Sequence, residues 1–142
     1  MKINPYLTFG GDCAEAFRLY QQVFGGELNM MTHGDSPARE HTSPDWHDKI
    51  MHAQLTFGGN ELMGSDAPPQ YFEKPQGFSV AVNPTEAAEA ERIFNALAEG
   101  GQVRMPVQET FWSPAFGMLV DRFGIPWLIN TVGAQVPAGA GA

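Results

Sequence analysis

The sequence predicts an α+β protein made of two tandem βαβββ modules whose strands form a curved, partly open barrel. Three observations carry this. A β-like run, an amphipathic helix, a Gly-Gly pair and three further β-like runs occur in that order twice, with Gly25-Gly26 and Gly100-Gly101 about 75 residues apart. Both helical stretches carry one apolar stripe at helical spacing. A chain of 142 residues with 43% hydrophobic and 17% charged side chains buries a real core but is short for two independent domains. The expected organisation is a single domain over 1–132 (module one 1–66, linker 67–76, module two 77–132) and a flexible Gly-, Ala- and Pro-rich tail over 133–142.

A first strand over 3–9 runs into Gly10-Gly11-Asp12, where Asp12 is placed to N-cap a helix and Glu15 to complete a capping box. The helix continues to Phe24, with Ala16, Phe17, Tyr20, Val23 and Phe24 on its apolar face and Glu15, Arg18, Gln21 and Gln22 largely opposite. Gly25 supplies the left-handed residue that ends it. A second strand spans 27–32. The polar stretch 33–48, with Pro37 and Pro44, is longer than most connections and reads as a lid or binding loop. Runs over 49–57 and 61–65, joined by Gly58-Gly59-Asn60, make a hairpin. The linker carries Pro68, Pro69 and Pro75.

Module two opens with a short strand over 77–82. Its helix is expected to start at Asn83-Pro84-Thr85-Glu86, with Asn83 or Thr85 as the cap and Pro84 in the first turn. Ala87, Ala90, Ile93, Phe94 and Leu97 form its stripe, and Gly100 ends it. Strands over 103–111, 115–121 and 127–132, with a turn at Arg122-Phe123-Gly124, complete the module.

Composition excludes several function classes. A net charge of −8 without a Lys/Arg cluster speaks against nucleic acid or an anionic membrane as partner. No apolar run approaches ~18 residues, and Met1-Lys2-Ile3-Asn4-Pro5 lacks the apolar core of a signal peptide, so the expected location is cytoplasmic. Cys13 is the only cysteine, which rules out an internal disulfide and argues for packing. There is no GxSxG elbow, no paired-carboxylate spacing of a glycosidase and no phosphate loop; Gly10-Gly11 and Gly58-Gly59 read as turns.

Candidate site residues come from strand alternation. His52 and Gln54 share a strand face, offering a titratable group and an amide to orient a polar ligand; the pattern suits equally a histidine hydrogen-bonded in the sheet or at a subunit contact. His33, His41 and His47 surround the long loop at spacings that match no metal motif. Gln108, Thr110 and Trp112 are placed on one strand face as a mixed binding wall, with Glu109 and Phe111 on the other; Trp112 fits a core or dimer interface as well. Met30, Met31, Met51, Met63, Met105 and Met118 suit an adaptable apolar cleft or ordinary core filling. Asp66 and Glu109 are the carboxylates expected to approach the cleft without being on a helix, and His52 and Glu109 are the candidate catalytic groups.

Several stretches carry a family resemblance: Pro5-Tyr6-Leu7-Thr8-Phe9, Val23-Phe24-Gly25-Gly26-Glu27, Asp48-Lys49-Ile50-Met51-His52-Ala53, Leu62-Met63-Gly64-Ser65-Asp66-Ala67-Pro68, Gln108-Glu109-Thr110-Phe111-Trp112 and Asp121-Arg122-Phe123-Gly124-Ile125-Pro126-Trp127. With the duplicated module, they make the chain resemble the vicinal oxygen chelate superfamily of glyoxalase I, extradiol dioxygenases and fosfomycin- and bleomycin-resistance proteins, and within it the PhnB-like branch. The resemblance implies a glyoxalase-like fold, a homodimer and a site in the cleft between modules. Metal-dependent members place ligands on the first and last strands of each module. Those positions fall here on Pro5, Met63, Phe78 and Leu128, or, shifted by two residues, reach Glu61, Ser65 and Asn130. Neither set supplies four hard-metal ligands, so no metal and no other cofactor is expected.

The branch often carries a ubiquinone-biosynthesis methyltransferase label, but the chain has neither the Gly-rich strand-to-helix loop nor the alternating βα order that methyl transfer from S-adenosylmethionine usually uses. A phosphonate ligand would need a cationic cluster that 8 Lys and Arg in all do not form. The expected function is binding of a small apolar-to-mixed ligand without a metal, at His52, Gln54, Met63, Phe78, Gln108, Thr110, Trp112 and Met118. The alternatives are a divalent-metal-dependent lyase, isomerase or dioxygenase of the same superfamily, a metal-free acid/base catalyst, and an interaction module whose cleft is filled by side chains.

Overall fold

The computed structural model describes residues 1–132, so the tail expected over 133–142 lies outside the described residues. The chain divides between Lys74 and Pro75, inside the expected linker, into two units, each a four-stranded sheet with one helix. No helix among the described residues is long and apolar enough to cross a membrane.

The first unit runs β1 (Tyr6–Phe9), α1 (Cys13–Phe24), β2 (Glu27–Thr32), β3 (Ile50–Phe57) and β4 (Asn60–Asp66). Its sheet is ordered β1-β4-β3-β2, with β1 parallel to β4 and the other pairs antiparallel. Residue alternation gives the sheet two unlike faces. Leu7, Phe9, Ala53, Leu55, Leu62 and Gly64 are buried on the side that receives α1, against its Cys13, Ala16, Phe17, Tyr20 and Val23. Phe17 meets Phe9 and Tyr20 edge-on at 6.0 and 5.5 Å. Burial of each such ring stabilises by about 1.5–3 kcal/mol. Phe24 is half-buried at the end of the stripe and stacks on Phe57 at 5.0 Å. The strand expected over 3–9 begins only at Tyr6, because Pro5 lacks the N–H for a ladder bond; its carbonyl still accepts from Met63 N–H at 3.2 Å.

The second unit repeats the order with β5 (Val80–Val82), α2 (Ala87–Ala98), β6 (Gln102–Gln108), β7 (Phe116–Val120) and β8 (Pro126–Asn130), in a sheet ordered β5-β8-β7-β6. Trp127, Ile129, Leu119 and Gly117 face α2, whose Ala90, Ile93, Phe94 and Leu97 are buried. Pro106 lies in the edge strand β6, where it removes no ladder bond from a central pair and the register shifts around it.

Two helix starts differ from expectation. Asp12 occupies the N-cap position of α1 but makes no side-chain capping bond. Asp66, arriving from the end of β4, accepts instead from Gly11 N–H and Cys13 N–H, both at 3.0 Å. In the second unit neither Asn83 nor Thr85 caps: α2 starts at Ala87 behind an extended Glu86, so Ala87 is exposed and the stripe begins at Ala90. The cause is competition from the sheet. Asn83 Nδ2 donates to the Asn130 carbonyl at 3.1 Å and the Pro84 carbonyl accepts from Val132 N–H at 2.8 Å, which holds 83–84 beside β8.

The repeated Gly-Gly has one physical basis in both units. Gly25 and Gly100 have φ of 75° and 74°, the left-handed turn out of the helix. A Cβ on the second glycine would lie 2.2 Å from the Thr56 carbonyl oxygen at Gly26 and 2.3 Å from that of Val120 at Gly101. The chain must therefore pass flush against a neighbouring strand before it enters β2 or β6.

The stretch 33–48, expected as a lid or binding loop, is pinned by its own hydrogen bonds. It contains 3-10 turns at Pro37–His41 and Pro44–Trp46. His33 N–H donates to Lys49 O and Gly34 N–H to His47 O, both at 2.9 Å, while His47 Nε2 donates to the Thr42 carbonyl at 2.9 Å.

Candidate functional site

Alternation that sends Leu7, Ala53, Leu55 and Leu62 toward α1 sends Tyr6, His52, Gln54, Glu61 and Met63 to the opposite, open face of the first sheet. In the ladder Tyr6 lies opposite Met63, and Met63 opposite Gln54, so three strands contribute to one row. The Tyr6 phenol reaches diagonally to His52: its oxygen is 3.4 Å from Nδ1 and the rings are 5.9 Å apart. His52 Nε2 has no hydrogen-bond partner among the described residues. Glu61 anchors the next row, with Oε1 accepting from Gln54 Nε2 and Oε2 from Asn4 Nδ2, both at 3.1 Å. Lys2 Nζ stands 3.5 Å from the same Oε2. A phenol, an imidazole, an amide, a carboxylate and a thioether thus share one half-buried surface suited to orienting a ligand of mixed polarity.

The open face of the second sheet is chemically different. Ala81, Met118 and Leu128 are in register across β5, β8 and β7, with Met105 opposite Met118 on β6. Phe116 pairs with Gln108 and takes the Trp112 ring edge-on at 5.3 Å, and Phe111, almost fully exposed, packs on Trp112 at 4.6 Å. The row of Gln108, Thr110 and Trp112 on one strand face does not form, because β6 ends at Gln108. Beyond it Thr110 and Ser113 close a turn, Thr110 N–H donating to Ser113 O at 2.9 Å and Ser113 N–H to Thr110 Oγ1 at 3.1 Å. Buried Ser113 Oγ is fastened to the Thr131 carbonyl at 2.8 Å.

Of the expected site residues, His52, Gln54 and Met63 come together on the first unit's open face. Gln108, Trp112 and Met118 belong to the second unit around Phe116 or its strand. Phe78 precedes β5 and is exposed, and Glu109 is exposed in the loop after β6. Asp66 is not a free base on a ligand surface. It is buried on the helix side, and its oxygens accept from the backbone N–H groups of Gly11, Cys13 and Ile50. Cys13 is fully buried, and burial first, then the Asp66 and Asp12 charges, push its thiol far above the usual range, so it is no nucleophile. Sequence reading gave no role to Tyr6 or Asn4 and reached Glu61 only through a two-residue shift. The alternation of Tyr6 and Thr8 against Leu7 and Phe9 was the available signal.

The superfamily's metal positions do not fit a divalent ion here. Pro5 and Leu128 have no donor, Phe78 offers a ring, and Met63 offers a soft thioether. No group of three His, Cys, Asp or Glu among the described residues is arranged to hold a metal.

Two βαβββ units with mixed four-stranded sheets make a glyoxalase-like fold. Residues 1–130 match the family described as 3-demethylubiquinone-9 3-methyltransferase, and the chain belongs to that PhnB-like family. It is 36% identical to Protein YjdN of Escherichia coli (strain K12), over 95% of this chain and 98% of that one. Among solved structures, protein PA1353 from Pseudomonas aeruginosa is 50% identical with a TM-score of 0.86, covering 94% of this chain and 98% of its own. A PhnB protein from Bacillus cereus is 25% identical with a TM-score of 0.77, covering 93% and 100%. The fosfomycin resistance protein FosX from Listeria monocytogenes, solved with Mn(II), shares the fold alone, at 9% identity and a TM-score of 0.63 over 92% of this chain and 90% of that one.

Proposed function

We propose that this chain is a small-molecule-binding member of its family that takes an apolar-to-mixed ligand without a metal, with the open face of the first sheet as its polar wall. The observation that carries the reading is the cluster of Tyr6, His52, Gln54 and Glu61 around Met63, unlike groups brought from three strands to one surface. Hydrogen-bonding groups beside thioether and aromatic area are the usual make-up of a ligand wall. Methyl transfer is disfavoured, because each sheet has only one parallel pair and no alternating βα order of the S-adenosylmethionine folds.

A thermal-shift screen over broad chemical classes tests this, with Tyr6→Phe and His52→Ala beside the parent protein. A ligand at 100 times its Kd adds about 2.7 kcal/mol to stability. The expected outcome is a stabilising compound whose shift shrinks in both variants. A screen with no stabilising compound in any class overturns the reading. The unpartnered His52 Nε2 also supports metal-free acid/base chemistry as a second reading, in which His52→Ala abolishes turnover of whatever substrate the screen finds.

A further inference from the structure

We propose that the ligand of this face is an organic cation, an ammonium group on an apolar or aromatic body, with Glu61 as its counter-ion. The inference rests on the ligand-binding reading above and adds the charge of the ligand to it. Glu61 is the carboxylate at the heart of the face, with a side chain only 22% exposed. Two of its contacts, the Gln54 and Asn4 amides at 3.1 Å, are neutral donors that hold the carboxylate in place without neutralising its charge.

The cation that reaches it is Lys2, and it does so weakly: Nζ is 3.5 Å from Oε2 and the side chain is 74% exposed. Exposed ion pairs of this kind contribute little and exchange readily. Three of the four other Lys and Arg residues of the unit point elsewhere, and the fourth, Lys74, is exposed at its end. Lys49 Nζ donates to the Gly11 carbonyl, Arg39 Nη1 to the Gly34 carbonyl, and Arg18 is exposed on α1. Glu27 adds a second negative charge on the same face of β2, opposite Thr56. Met63 follows Glu61 two residues along β4 on the same face and stands opposite Tyr6, which is 48% exposed, so a polarisable surface and, beyond it, an aromatic face extend from the carboxylate for the body of a cation. Lys2 thus marks the place of an ammonium group, and an anionic ligand would meet a carboxylate with no strong cation to offset it.

Isothermal titration calorimetry with benzyltrimethylammonium, benzyl alcohol and benzoate, which share one aromatic body and differ in charge, tests the inference. The cation is expected to bind about fivefold more tightly than the alcohol, and benzoate most weakly. Glu61→Gln should erase the preference while leaving the alcohol within about twofold, and Lys2→Ala should tighten the cation by about twofold by removing its competitor. Added salt should weaken the cation alone. A cation that binds no better than the alcohol, or a preference that survives Glu61→Gln, overturns the inference and leaves the binding reading standing. Failure of all three probes overturns the inference too, and only a null thermal-shift screen beside it removes the reading beneath.

Discussion

The two units follow one chain path and present opposite chemistries on their open faces. In the first, Tyr6, His52, Gln54 and Glu61 make a hydrogen-bonded polar surface around Met63. In the second, the matching side of the sheet carries Ala81, Met105, Met118 and Leu128. Their helix-facing sides, by contrast, are alike: aliphatic and aromatic side chains, one helix, and a glycine against a helix phenylalanine, Gly64 with Phe17 and Gly117 with Phe94. The difference teaches which side specifies the fold. Close packing against a helix constrains volume and polarity at every position, whereas the open face is free of that constraint, which is why the proposed binding is assigned to it.

Among the described residues each unit also has one buried carboxylate, and replacing these should give the largest effects. Asp66 accepts from three backbone N–H groups that belong to the entry of α1 and the start of β3. Asp121 accepts from Phe123 N–H and Ile125 N–H in its own turn and from Trp127 Nε1 at 2.9 Å. Either Asp→Ala variant strands three donors and should cost about 4 kcal/mol in urea unfolding. The amide variants sharpen the comparison. Asp121→Asn should be partly rescued by Trp127→Phe, which removes the indole N–H left facing an amide, whereas no side-chain change can rescue Asp66→Asn, because its stranded donor is backbone.

The Gly-Gly pairs should break the symmetry by a smaller margin. Gly26→Ala and Gly101→Ala each drive a Cβ into a strand carbonyl and should destabilise by about 3 kcal/mol. Gly26 also has φ of 88°, so its variant should be worse by roughly 1 kcal/mol. Equal melting temperatures for the two variants would show that the carbonyl contact alone sets the cost.

The buried thiol distinguishes the helices through pH. Cys13 opens α1, while α2 opens at Ala87. Because the folded thiol is pushed up, the native state keeps its proton when the unfolded chain releases it, and stability falls as pH rises past the thiol's ordinary value of about 8.5. Urea midpoints between about pH 8 and 10 should decline more steeply in the parent protein than in Cys13→Ala, by up to about 1.4 kcal/mol per pH unit. Identical slopes would mean that the thiol titrates freely in the native state.

The smallest changes in stability should come from the open faces. Tyr6→Phe and Met118→Leu are each expected to shift unfolding free energy by less than about 0.5–1 kcal/mol. A loss comparable to that of Asp66→Ala would make the open face a structural surface and dissolve the contrast between the two sides of each sheet.

Much of the fold was legible in the residues. The bounds of α1 and β2 were readable because a glycine with positive φ and a sharp change of periodicity bracket them. Ala90, Ile93, Phe94 and Leu97 were recognisable as the buried stripe of α2 from spacing alone. The start of that helix was not, since Asn83 is a good cap by local rules and was taken by the end of β8, a partner 47 residues away. The same holds for Asp12, displaced by Asp66, and for Thr110, whose β-like neighbourhood gives way to a turn closed on Ser113.

The sequence by itself determined the order of elements, the duplication and which side of each helix is apolar. All three are written in short-range periodicity and in residues whose backbone preferences act locally. Only the tertiary structure decided that Tyr6, His52, Gln54 and Glu61 form one surface, that Asp66 serves the backbone, and that Lys2 stands at Glu61. These depend on strand register, which joins residues up to 59 positions apart, and register follows from the packing of the whole sheet against its helix rather than from any one segment.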